Sequence, residues 1–472
     1  MIRLLHTYFP SRTIFLGISE AFLVVLAFVC ATVLRLGGTD AAVMLGYEQG
    51  YFKILVIAVS MLSCMYYFDL YDSAIISNWR EVIVRLVQVL GAVCILLALL
   101  YYSYPPLALG RGIFGIGFVL VSVILFFWRR LFLAINGQPR FAERVLLFGD
   151  GPLATPLRCE LEARPELGLR IVSQVVPRND DRNEATCEAY ECSGARCLMA
   201  TDEQLSRAVE LHRVNRLVVA MGERRGKLPL GQLLTLKSHG VHVQDATDVY
   251  EAVTGKVPID SLRLGWLLFS PGFHVSRFLL FYKRLASMVI SISGLLLSLP
   301  LIPFVALAIK LSSQGPVFYK QDRVGRDGEV FDCYKFRTMR ADAEADSGPT
   351  WAGDDDPRIT RVGRFLRLSR LDEIPQLWNV MKGDMSLVGP RPERPEFVDR
   401  LNHQIPHYSL RHTIRPGITG WAQIRYKYAA SIEDAKEKLC YDLYYIKNMS
   451  PGLDSLIFLH TIKTILLARG AR

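Results

Sequence analysis

The stretch Ser369–Pro395, SRLDEIPQLWNVMKGDMSLVGPRPERP, holds the residues of this chain best suited to chemistry. Asp372 and Glu373 are adjacent acids, Pro375 follows them, and Gly383 ends a short apolar run. Proline lacks an N–H and is tolerated in a helix's first turn. The spacing therefore predicts a short helix with Asp372 as its N-cap and Gly383 as its close. A helix start carries free N–H groups and partial positive charge, which suit phosphate. With Arg367, Arg370, Arg391 and Arg394 around the pair, the implied chemistry is phosphoryl transfer. Read in isolation, the pair more commonly serves as an ordinary cap beside a solvated acid.

Upstream, Arg358, Arg361, Arg364 and Arg367 recur every three residues. That spacing predicts a cationic helical face, self-repelling unless an anion lies against it. Before it, VFYKQ and VFDCYKF read as strands separated by turns at Gly325 and Asp327-Gly328. The acids between Ala341 and Asp356 read as a solvated face rather than a metal site.

The rest of the chain must hold this region at a membrane. Of 472 residues, 51% are apolar and 21% charged, and the mean hydropathy is +0.23, too oily for an ordinary soluble enzyme. Apolar segments at about 13–34, 51–70, 82–104 and 112–133 each approach the ~20 residues that cross a bilayer. The bias of Arg and Lys places the N-terminus and everything after residue 133 in the cytoplasm. A net charge of +10 fits such loops and anionic lipid or phosphorylated substrates. No basic run interleaved with aromatics points to nucleic acid. Nine cysteines without a CxxC argue against zinc, including the evenly spaced Cys187, Cys192 and Cys197 of a polar loop.

A fifth apolar run, Leu285–Ile309, is broken by Ser298, Pro300 and Pro303 and flanked by bases at both ends. A kinked fifth span would carry the Asp-Glu stretch outside the cell. A re-entrant hairpin returns it to the cytoplasm, and we expect the hairpin.

Between these parts, residues 141–265 alternate strand and helix patterns, implying a parallel α/β sheet. Gly149-x-Gly151-x-x-Ala154 fits a relaxed dinucleotide fingerprint. Pro177 and Arg178 stand where a ribose-binding acid belongs, so a vestigial or regulatory Rossmann-like domain is expected over a redox one. A membrane-anchored, Rossmann-type sugar-nucleotide dehydratase or oxidoreductase is the alternative. It needs Tyr-x-x-x-Lys, and no Tyr has Lys four residues on.

The segments KLSSQGPVFYKQDRVG, YKFRTM, DPRITRVGRFLRLSRLDEIPQLWNVMKGDMSLVGPRP and RPGITGWAQ resemble the bacterial sugar transferases, the polyprenyl-phosphate phosphoglycosyl transferases. The likeness covers about residues 280–470, and the long form with four leading spans is similar to the whole chain. It implies a four-helix membrane region (1–140), a Rossmann-like, CoA-binding-like domain (141–265) and an α+β catalytic domain (266–472) with a re-entrant helix at about 285–309. It further implies transfer of a sugar-1-phosphate from a UDP-sugar to polyprenyl (undecaprenyl) phosphate with Mg²⁺, through a covalent intermediate on Asp372. Glu373 would assist, Asp372 would also meet the metal, and Arg367, Arg391, Arg337, Arg364 and Lys335 would hold phosphate. The setting implied is a bacterial inner membrane with the catalytic domain cytoplasmic, in exopolysaccharide or O-antigen initiation. Departures are mild: Leu-Ser-Arg-Leu precedes the dyad where Lys-Thr-Ser-Leu is common. PGITGW reads as a turn whose Trp421 either packs or meets nucleotide. The last segment, LDSLIFLHTIKTILLARG, reads as a surface-lying amphipathic helix. A homodimer is compatible with this layout.

Overall fold

The computed structural model describes residues 2–4, 7–9, 11–72, 79–136, 142–177, 196–200, 202–222, 228–261, 272–273, 276–340, 343, 356–426 and 431–467. It divides into two compact units, one running essentially from Phe9 to Val249 and the other from Tyr250 to the C-terminus.

A short strand pair, β1 (Ile2–Leu4) and β2 (Thr7–Phe9), opens the chain and groups for the most part with the second unit. The first unit then holds the helices α1 (Ser11–Leu36), α2 (Gly38–Gly46), α3 (Gly50–Tyr67), α4 (Trp79–Ser103) and α5 (Arg111–Asn136). Except for the short α2, these helices are long and apolar enough to cross a membrane. Their shared core is built from Val24, Phe28, Ile54, Met61, Val89 and Leu125. Within that core α1 and α5 are locked by a buried ion pair. Arg129 donates from Nε to Glu20 Oε1 at 2.7 Å and from Nη2 to Oε2 at 3.1 Å, and from Nη1 to the Leu70 carbonyl. Paired charges of this kind are the arrangement an apolar interior tolerates.

The middle part is a five-stranded parallel sheet of β3 (Glu143–Phe148), β4 (Leu169–Pro177), β5 (Arg196–Ala200), β6 (Arg216–Val219) and β7 (His242–Asp245), with order β5-β4-β3-β6-β7. That order, reversing beside the first strand, is the Rossmann arrangement. Its helices are α6 (Ala154–Ala163), α7 (Asp202–Leu211), α8 (Leu230–Ser238) and α9 (Ala246–Thr254). Cys197, expected in a polar loop, lies instead in β5 paired with Gln174 of β4; Cys187 and Cys192 fall outside the described residues.

The second unit opens with two apolar helices, α10 (Arg277–Ser298) and α11 (Ile302–Ser312). Ser276 caps α10 by accepting from the Leu279 N–H at 3.1 Å. The helix fails at Leu299–Leu301, where Pro300 has no N–H to give and Ser298 Oγ donates to the Leu295 carbonyl. Pro303 then sits in the first turn of α11, where its missing N–H costs nothing. Both arms touch the same folded domain. Arg284 of α10 donates to the carbonyls of Val380 and Met381, while Val305 and Ile309 of α11 pack with Phe336, Leu366, Leu371 and Ile374.

That domain comprises the antiparallel hairpin β8 (Phe318–Val324) and β9 (Val330–Phe336), α12 (Arg361–Leu368), α13 (Gln376–Lys382), β10 (Ser386–Val388), α14 (Pro395–Gln404), β11 (Gly417–Thr419), α15 (Trp421–Arg425), α16 (Ile432–Lys447) and α17 (Pro451–Leu466). A capping box of Ser431 and Asp434 starts α16, and Ser450 caps α17. The apolar stripe of α17, Leu453 and Ile457, is buried in the domain core with Tyr444 and Tyr445. That stripe packs on protein, while Leu459 and Ile465 of the same helix remain exposed. Residues 250–261, grouped with the middle domain from sequence, belong to this unit. Lys447 and Asn448 bind Glu251 at 2.6 and 2.8 Å, and the Val257 N–H donates to the Cys440 carbonyl.

The two proline-glycine motifs hold each other. β10 and β11 pair in parallel, with Ser386 opposite Gly417 and Val388 opposite Thr419. A Cβ on Gly417 would stand 2.1 Å from the Gly389 nitrogen, inside contact distance. Gly417→Ala is expected to cost about 1–3 kcal/mol as an overpacking change, read as a lower Tm.

Candidate active site

Asp372 and Glu373 lie in a single 3-10 turn, Leu371–Glu373, entered through Arg370 at φ 59°. Helix α13 begins only at Gln376, with Pro375 in the cap position and Gly383 (φ 105°) closing it. The expected close at Gly383 is therefore present, whereas Asp372 is not the N-cap. The left-handed residue Arg370 forces a tight turn before the helix, and that turn points Asp372 into the protein instead of along the α13 axis. Leu371 and Ile374, on either side, are anchored in the core of α11.

The two carboxylates have divided environments. Glu373 Oε1 accepts from Arg391 Nη2 at 2.8 Å and pairs with Lys335 Nζ at 3.5 Å and Arg370 Nη1 at 3.8 Å. Burial alone would raise its pKa, but these three charges outweigh burial and hold it well below the usual carboxylate range. Asp372 is 7% exposed, and its buried Oδ1 has no hydrogen-bond partner. Burial and the neighbouring Glu373 push its pKa up, against the pull of Lys335, Arg391 and Arg367. Burial and the nearby Arg391 lower the Lys335 ammonium's pKa. One carboxylate is thus clamped by cations that favour its charged form; the other is buried beside it with an unpartnered oxygen.

The phosphate candidates separate. Lys335 and Arg391 meet at Glu373. Arg367 donates from Nε to Thr338 Oγ1 at 3.0 Å, and its charge bears on Asp372. Arg337 is buried; it donates from Nη2 to the carbonyl (2.7 Å) and Oγ (3.1 Å) of Ser313, leaving Nε and Nη1 unpartnered. The expected four-arginine face does not form. Arg358 precedes α12 and is bound to Asp356 at 2.6 Å, and Arg361 and Arg364 are exposed. Helix α12 starts at Arg361 because Thr360 caps the Gly363 N–H, so the regular spacing runs past the helix start. The other acids of 341–355 lie outside the described residues.

Some supports were not visible from sequence. Arg411, buried and paired with buried Asp442 at 2.9 Å, donates from Nη2 to the Arg391 carbonyl at 2.9 Å. Arg323 donates to the Pro392 carbonyl at 2.9 Å. Both fix the backbone of the loop that delivers Arg391, from positions with no local pattern. Trp421 packs: it is buried, stacks on Tyr444 with centroids 5.7 Å apart, and donates to the Gly255 carbonyl at 2.8 Å.

Two other places in the molecule have site-like features. A cleft of about 600 Å³ at the turn end of β8–β9 contains neither Asp372 nor Glu373; three of its acids are paired, Asp327 with Arg326, Asp332 with Lys320 and Asp384 with Lys382. In the middle domain Gly149 (φ 110°) and Gly151 press on the backbone of 220–222, and the Gly151 N–H donates to the Ala220 carbonyl at 2.6 Å. The Ala154 N–H is bound to the Gly151 carbonyl, and Pro152 and Pro156 have no N–H. Few donors there remain for a pyrophosphate.

A chain with several membrane-length apolar helices, whose second unit presents a clamped acid pair beside arginines, belongs to a recognisable class. Residues 278–468 match the bacterial sugar transferase family, and residues 66–243 match a CoA-binding domain. The undecaprenyl-phosphate glucose phosphotransferase of Komagataeibacter xylinus is 30% identical over 407 residues, 78% of this chain and 72% of that protein. The UDP-N-acetylgalactosamine-undecaprenyl-phosphate N-acetylgalactosaminephosphotransferase of Aeromonas hydrophila is 46% identical over 235 residues. That match takes in 49% of this chain and about half, 54%, of the relative. An exopolysaccharide production protein of Rhizobium leguminosarum is 42% identical over 185 residues and matched along 92% of its length. The chain belongs to the bacterial sugar transferase family.

Proposed function

We infer that this protein moves a sugar-1-phosphate from a UDP-sugar to undecaprenyl phosphate at the membrane surface, releasing UMP. The observation that carries the reading is the divided acid pair: a buried carboxylate oxygen with no partner beside a second carboxylate fixed by Arg391, Lys335 and Arg370. A carboxylate is a weak nucleophile, and burial with flanking cations is what activates it towards phosphorus. The Asp372 oxygen attacks the β-phosphorus of the donor, a P–O bond forms, and the bond to UMP breaks with its electron pair leaving on UMP. An oxygen of the lipid phosphate then attacks the same phosphorus and displaces Asp372 unchanged. Lys335, Arg391 and Arg367 offset charge on the phosphoryl oxygens throughout.

Among the described residues no group of three His, Cys, Asp or Glu could hold a metal by itself. Mg²⁺ is commonly held by one or two carboxylates together with substrate phosphates, and the unpartnered Asp372 oxygen fits that mode. The ion would supply charge neutralisation between the phosphates. The break at Leu299–Leu301, with both arms against one domain, supports a re-entrant hairpin that keeps the dyad at headgroup height on the cytoplasmic face. Phe278, Leu297, Phe304 and Leu311 are exposed on those arms, as lipid-facing residues would be. The relatives' names divide between glucose and N-acetylgalactosamine. The test is UMP release from a panel of UDP-sugars by the full chain in nanodiscs carrying polyprenyl phosphate. Release with one or a few sugars is expected; an inert panel would overturn the reading.

A further inference from the structure

Beside the dyad is a recess that shares Lys335 and Arg391 with the mechanism above and adds a residue it does not use, Gln376. Its lining includes Arg323, Cys333, Lys335, Gln376 and Arg391. It has room for about 10 Å³, roughly one water-sized atom. The β9 pleat puts Cys333 and Lys335 on one face, so the recess has a small apolar wall and a cation side by side. Three cations line it, with Arg323 held in place by the Pro392 carbonyl and Arg391 by Glu373.

Gln376 is the unusual member. It opens α13, four residues after Asp372 and three after Glu373 in the chain. It is 3% exposed, and its Nε2 is buried without a hydrogen-bond partner. An unmade amide bond in the interior costs about 1–3 kcal/mol. Such an orphan donor beside a one-atom recess among cations has the make-up of an oxyanion hole: preorganised donors aimed where negative charge collects.

We propose that Gln376 is a further catalytic residue, its amide donating to one non-bridging oxygen of the phosphorus under transfer, which seats in this recess with Lys335 and Arg391. The assignment rests on the phosphoryl-transfer reading and adds a stereochemical consequence to it. A recess for one oxygen discriminates against the larger sulfur atom, so the two non-bridging positions on the transferred phosphorus are not equivalent.

The test uses the two diastereomers of a UDP-sugar carrying sulfur at a non-bridging β-phosphorus position, with the full chain in nanodiscs and UMP release as readout. The wild type is expected to turn one diastereomer over at least about tenfold faster. Gln376→Ala, which enlarges the recess, should bring the two within about twofold. With the all-oxygen donor, Gln376→Ala should lower kcat on the order of 10²-fold and leave KM within about threefold. Gln376→Met keeps the volume and removes the donor, so low kcat with the diastereomer preference retained is expected. An equal rate for both diastereomers in the wild type, the same ratio in wild type and Gln376→Ala, or wild-type turnover by Gln376→Met would each overturn the assignment. Should Gln376→Ala fail to fold, the wild-type ratio and the Met variant decide. A wild type that releases no UMP from any all-oxygen donor removes the underlying reading instead.

Discussion

Asp372→Asn is expected to lower UMP release on the order of 10⁴-fold or more, the scale of losing a covalent nucleophile, while leaving Tm unchanged or raised. The two halves of this expectation come from the same electrostatics. Asp372 is buried next to a charged carboxylate, which raises its pKa in the folded state. A carboxyl whose folded pKa is raised binds its proton more tightly folded than unfolded. Its contribution to stability therefore falls as pH climbs from the ordinary aspartate value, about 4, through the raised one, and stays lower above it. Above the raised pKa the ionised Asp372 is a cost to the fold, and asparagine would remove that cost together with the proposed nucleophile. Measuring Tm beside UMP release separates loss of function from loss of fold. In the wild type the same shift sets the acid limb of the rate: activity should fall as pH drops through the raised Asp372 pKa, above the range of an unperturbed aspartate.

Arg391→Met should reduce turnover by about 10²–10³-fold, the scale of removing a preorganised charged donor, and move the acid limb to higher pH. Arg391 both clamps Glu373 at 2.8 Å and lowers the Asp372 pKa. Without it, Asp372 holds its proton to higher pH, so less nucleophile is present at any given pH. Glu373, whose folded pKa is depressed, contributes stability above its unfolded value of about 4.3, lost as pH falls through the folded one. Removing Arg391 shrinks that contribution. Arg391 is 33% exposed and Lys335 and Arg370 remain near Glu373. The stability loss should therefore stay below the ~3–5 kcal/mol of breaking a fully buried pair. A Tm series against pH together with the pH–rate profile checks both signs.

What the sequence made legible was mostly local. The break at Ser298 and Pro300 is covalent in origin, since proline cannot donate, and it stands where expected. The strand pair around VFYKQ and VFDCYKF follows from its turns, while Arg391 and Lys335, read as phosphate ligands, lie against Glu373. Errors arose where one residue's backbone or a distant partner decided the outcome. Arg370, in the left-handed region, moved Asp372 out of the cap position, and no residue type there announced it. The arginines at every third position look like one face, yet Thr360 starts the helix after Arg358, and Asp356 takes that arginine. Arg411 and Asp442 hold the Arg391 loop across long sequence separations, and Gln376 opens a short helix where glutamine is unremarked. Such long-range and buried polar contacts have no periodicity to read.

The proposed transfer places the phosphosugar on Asp372 between donor and acceptor. It is tested most directly by incubating the full chain with a UDP-sugar that it uses, without lipid phosphate, then quenching in acid, digesting and mapping by mass spectrometry. The account predicts one sugar phosphate on the peptide containing Asp372, one UMP released per active site, and neither in Asp372→Asn. A sugar phosphate on another residue, or UMP release that requires the lipid acceptor with no modified peptide, would contradict it.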